Sequence, residues 1–113
     1  MVRVAAIAAA VLMIAAPAAA QTITMNGVAR SVSLMRAMAT YCPDVIPEEA
    51  QKFAAAFLDA GHSAYGQAPF DAEVAAELPR RDAEVRAAGA VGWCAAQRTT
   101  QLSLGNRQIF RHP

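Results

Sequence analysis

The chain has 113 residues, ten Lys and Arg against nine Asp and Glu, and two cysteines, which is room for one domain. One of the ten bases, Arg3, lies in a segment expected to be removed, so the remainder is formally neutral and has no strong field for nucleic acid or an anionic membrane. Much of the 56% hydrophobic content is alanine, which favours helix but buries little area, so the core is expected to be thin and to need a covalent staple.

Residues 1–20 read as a cleavable export signal. Arg3 supplies the positive start, Val4 to Ala16 the apolar stretch, and Pro17 breaks it before Ala18-Ala19-Ala20. A membrane anchor fits less well, because the uncharged run is short, mostly alanine, and interrupted by proline. Cleavage is expected before Gln21, with release of a protein soluble in the periplasm or the medium. The heavy alanine use suits a bacterium.

Residues 21–28 alternate β-branched positions and then reach Asn26-Gly27, which predicts an extended arm ending in a turn. The helical domain is expected over 29–105. Val28, Val32, Met35, Ala39 and Cys42 recur at helical spacing with Arg30, Ser33, Arg36 and Thr40 opposite, giving a first helix over Ala29 to Cys42 that Pro43 closes. Pro47 before Glu48-Glu49 opens a second, since proline presets φ and acids suit the positive helix end; Gly66 stops it after Tyr65. Pro69 with Asp71 and Glu73 starts a third through Val74 and Leu78. Pro79 is expected to kink or end that helix.

The last helical stretch runs from Arg80 to about Leu104, with Val85, Ala88, Val91, Cys94, Ala95 and Leu102 inward. Glu77 with Arg81, and Asp82 with Arg86, form i, i+4 pairs on what reads as an exposed face. Residues 106–113 are a tail, docked or free. The expected fold is all-α, a three-to-four-helix bundle stapled by one disulfide.

Cys42 and Cys94 both fall on core-facing stripes, and in an exported chain they pair as a disulfide. Such a loop contributes roughly 4 kcal/mol in the chain-entropy model. A redox-active pair fits less well, because redox centres hold their cysteines close in sequence and near a helix N-terminus, whereas Cys94 reads as mid-helix. Trp93, one turn beyond Gly89, and Phe110 in the apolar part of the tail are the candidate interaction surface. The favoured alternative is that the glycines admit another helix closely and Trp93 covers the disulfide.

No constellation for catalysis emerges. His62 with Asp59 and Tyr65 at helical spacing gathers no metal-ligand set and no nucleophile. Asp71, Glu73, Glu77, Asp82 and Glu84 interleave with Arg80, Arg81 and Arg86 as a solvated ion-pair face does. No catalytic residue, metal ligand or cofactor site is assigned, and no enzyme activity is expected.

A helical body with one disulfide linking distant helices resembles the small periplasmic acid-stress chaperones in plan, with the isolated Cys42 and Cys94 as its only carriers. Two functions are therefore expected: first a non-enzymatic interaction, inhibitory or accessory domain of the bacterial envelope, meeting a protein partner there; second a periplasmic stress chaperone. For the chaperone, protonation of the seven acids from Asp44 to Glu77 would leave a positive chain and loosen it. A small enzyme or ligand-binding protein ranks last. Mass spectrometry of exported material is expected to find a chain beginning at Gln21; one retaining residues 1–20 refutes the signal assignment.

Overall fold

A computed structural model describes residues 23–113; the expected signal and the first two residues of the arm lie outside the described residues. Four helices follow in order: α1 (Met25–Tyr41), α2 (Pro47–Tyr65), α3 (Gln67–Ala88) and α4 (Ala90–Ser103). A short 3-10 turn, Arg107–Ile109, closes the chain. Among the described residues there is no strand, and the fold is the expected disulfide-stapled helical bundle.

The arm is shorter than residues 21–28. Thr24 caps α1 by accepting a hydrogen bond from the Gly27 amide at 3.0 Å, so Met25 to Val28 form its first turn. A hydroxyl placed to satisfy an otherwise orphaned amide outweighs the turn preference of Asn26-Gly27. The buried side of α1 takes in Ala29, Ser33 and Ala37 besides the stripe read from the sequence. Ala29, Val32, Met35, Ala37, Met38 and Cys42 are all buried, because α1 packs extensively against both α2 and α3. Ser33, expected to face water, is buried and turns its hydroxyl onto the Arg30 carbonyl at 2.8 Å.

Pro47 and the two glutamates open α2 as predicted. Gly66, at φ +89°, both ends α2 and begins α3, so the two helices meet without a loop. Close approach near this corner depends on Gly61, which is buried beneath the Phe70 ring. The missing side chain of Gly61 is what lets Phe70 of α3 lie against α2.

Pro79 does not separate two helices. It sits exposed inside α3, which continues to Ala88. The amide bond lost at proline is offset by burial on both sides of it, through Phe70, Val74, Glu77, Arg81 and Val85. The break comes instead at Gly89, at φ +81°, where a residue with a side chain is strained. Moving the break re-aims the residues around it. Ala88, Val91 and Ala95 are exposed, against the inward positions predicted for them, while Trp93 and Cys94 turn to the core.

The tail is docked. Ile109 and Phe110 are buried, the Ile46 amide donates to the Ile109 carbonyl at 2.7 Å, and the Arg111 amide donates to the Asp44 carbonyl at 2.8 Å. These bonds pin the tail to the link between α1 and α2, next to Cys42. No helix among the described residues is long and apolar enough to cross a membrane.

Gly61→Ala is expected to cost about 1–3 kcal/mol, because the new methyl group overlaps the buried Phe70 ring. Urea unfolding of both proteins measures this, and an unchanged midpoint would refute the close-packing role.

Candidate functional site

The structure draws the sequence candidates into three places. The first is the corner between α2 and α3. His62 Nε2 lies 2.6 Å from Asp71 Oδ1, and its ring meets the edge of Phe70. The partner is thus Asp71 from the neighbouring helix, not Asp59 along its own. Among the described residues no group of three or more His, Cys, Asp or Glu is placed to hold a metal.

The second is the charged face of α3, which is not solvated as predicted. Glu77 and Arg81 are each only 2% exposed. Glu77 accepts hydrogen bonds from Asn26 of α1 at 2.9 Å and from Arg80, while Arg81 NH1 lies 3.2 Å from its other oxygen. Arg81 reaches on to Glu84 at 2.9 Å, and Glu84 accepts from the Trp93 indole at 3.3 Å. One polar chain therefore runs from the start of α1 through α3 to α4. Beside it the Tyr41 hydroxyl donates to Asp82 at 2.8 Å, a bond that, with burial and the Asp82 charge, holds the phenol above its ordinary value. Asp82 is thereby committed to α1, although sequence spacing paired it with Arg86.

Burial alone would raise the Glu77 carboxyl. The Asn26 hydrogen bond and the Arg80 and Arg81 charges together outweigh it and hold the group below its ordinary value. Its partners come from α1 and from α3 itself, so the group acts as a clamp between helices.

The third place surrounds the disulfide. Cys42 and Cys94 are bonded, with Cα atoms 5.6 Å apart and a sequence separation of 52. Against the bond lies an open groove of about 580 Å³. Its floor is Pro43, Val91, Cys94 and Ala95, and its rim is Asp44, Arg98, Arg111 and His112. Three separate segments build it: the link after α1, the first half of α4, and the tail. Val91 is 89% exposed. Arg98 is fixed by Asp44 at 3.0 Å, by the His112 carbonyl, and by stacking over Phe110 with its guanidinium carbon 5.0 Å from the ring centroid. Arg111 Nε donates to the Pro43 carbonyl at 3.3 Å.

This arrangement fits Trp93 as a cover for the disulfide and corrects the alternative surface role of Trp93 and Phe110. Trp93 is 5% and Phe110 3% exposed, so both are core residues that support the groove from beneath. The residues offered to solvent are Val91, Arg98 and Arg111, none of which was singled out from sequence. Two signals pointed to them: Gly89 as a break, which turns Val91 outward, and Arg98 four residues beyond Cys94 on one helix face. A second, more apolar hollow of about 450 Å³ lies between α1 and α2, lined by Ile23, Val28, Phe57 and Ala60 among others.

No protein-family model, curated protein or solved structure matches this chain. The disulfide and the lack of a membrane-crossing helix among the described residues are compatible with an extracellular or periplasmic location.

Glu77→Ala removes one of the two carboxylates that face buried Arg81 and the acceptor for Asn26, and is expected to cost up to about 3 kcal/mol at neutral pH. Because the folded state lowers the Glu77 value, its contribution is complete above the ordinary value of 4.5 and fades as pH falls through the lowered one. The gap between wild type and variant should therefore narrow on acidification in denaturant unfolding; a gap independent of pH would refute the clamp.

Proposed function

We propose that the protein is a non-enzymatic interaction domain of the bacterial envelope that holds a partner segment in the groove beside Cys94. One observation carries the reading: an apolar floor with an exposed valine, bordered by two arginines, on a frame that the disulfide and the docked tail keep in place. Apolar centres with arginine at the edge are what protein interfaces use, the former for affinity and the latter for orientation. The groove is already formed in the folded chain, so little ordering cost accompanies binding. Its positive rim favours a partner segment bearing an acidic residue next to an apolar one.

Export and residence in the periplasm or medium belong to the same reading. They are supported by the amino-terminal pattern and by a structural disulfide, which persists in oxidising compartments.

A second reading, a stress chaperone, is favoured by the buried Glu77–Arg81 pair. Neutralising both Glu77 and Glu84 in acid strands the Arg81 charge inside the bundle, which favours opening and exposure of apolar helix faces. Suppression of client aggregation in acid, lost on replacing Glu77, is its signature.

For the interaction reading, partners are captured from native envelope extract with wild-type protein and with Val91→Asp and Arg111→Glu. A partner retained by wild type and weakened about tenfold or more by either change supports it. Equal retention by all three proteins, or no partner above background, overturns it. Both positions are exposed, so each variant is expected to fold normally.

A further inference from the structure

Cys94 lines the open groove, whereas Cys42 does not. The break at Gly89 also puts Cys94 only one turn inside the start of α4, at the helix end that favours negative charge. Arg98 follows one turn later, and Arg111 flanks the same opening. A cysteine that lines an open groove one turn inside a helix, with Arg111 at the same opening, is placed where an anionic thiolate is drawn in.

What the bond holds is equally specific. Helices α1, α2 and α3 pack extensively on one another, while α4 touches them far less. It is tied to them by the disulfide, the Trp93 contact and the tail beyond it. Gly89 joins α3 to α4 in a conformation few other residues adopt, with open space around it. Cutting the disulfide removes the one covalent tie and leaves α4 held by the glycine hinge, the Trp93 contact and the docked tail.

We infer that the groove admits a thiol reductant to Cys94, and that reduction of the Cys42–Cys94 bond releases α4 and the tail while α1 to α3 stay folded. The co-reactant is a dithiol of the thiol-disulfide exchange class. Its thiolate attacks Cys94 Sγ; the bond to Cys42 breaks, a mixed disulfide forms on Cys94, and Cys42 leaves with the electron pair and takes a proton. The second thiolate of the dithiol then attacks the reductant's own sulfur in that mixed disulfide. Cys94 departs with the electron pair and is protonated. Two electrons and two protons have passed to the protein, and the dithiol has become a disulfide. Because the groove is built from segments that this bond joins, reduction also dismantles the groove.

The inference shares a site with the proposed binding role, but its test reads adduct position and backbone protection, not a partner. Oxidised full-length protein is treated in native buffer with reduced glutathione, and the mixed disulfide is trapped by acid and located by peptide mass spectrometry. The adduct is expected on Cys94, at a rate linear in glutathione. Arg111→Ala should slow glutathione by roughly twofold to fivefold and slow mercaptoethanol, whose thiolate carries no further charge, by less. Hydrogen exchange after dithiothreitol should show lost protection over residues 90–113 and retained protection over 25–88. An adduct on Cys42, a rate that plateaus as though limited by unfolding, or loss of protection throughout α1 to α3 overturns the inference.

Discussion

The bond between Cys42 and Cys94 sets what the rest of this molecule is able to be. It joins the end of α1, the most enclosed helix, to the start of α4, the least enclosed, across a separation of 52 residues. Closing so long a loop restricts the unfolded chain by roughly 4 kcal/mol, comparable to the whole stability of many small domains. The need for it follows from composition. Ala29, Ala37, Ala50 and Ala54 fill core positions that larger side chains would use in a richer interior, so burial supplies less than it does in a leucine-rich bundle.

A second constraint is polar and internal. Helix α3 has no clean apolar stripe; two of its five buried residues are Glu77 and Arg81. Packing by hydrophobic matching alone would leave its rotation against α1 loosely specified. Bonds from Asn26 to both Glu73 and Glu77, and from Tyr41 to Asp82, fix that rotation near the two ends of α1. Buried ion pairs gain little net energy, but a misregistered helix would leave these charges unpaired, which is costly enough to select one arrangement.

These two constraints meet at Trp93. Its indole closes the polar chain through Glu84, and the next residue is Cys94. The groove sits directly over that junction, with Arg98 held in place by Asp44 and Phe110. The surface best suited to recognition is thus the one most dependent on covalent and polar bonds rather than on a large core, which couples its shape to the redox state of the sulfurs.

The amino acids by themselves determined the helical class, the starts and ends of α2, and the pairing of two lone cysteines. Each of those is local chemistry: proline and acids at Pro47-Glu48-Glu49, a glycine at 66, and thiols on apolar stripes. Only the tertiary structure decided that Pro79 is carried through and Gly89 is the break, that Ser33, Glu77 and Arg81 lie inside, and that Trp93 and Phe110 do too while Val91 lies outside. The physical reason is the same in every case. Whether a proline's lost bond is outweighed, whether a charge finds partners, and which side of a helix meets another depend on groups far away in the chain, such as Asn26 for Glu77, that periodicity within one segment does not contain.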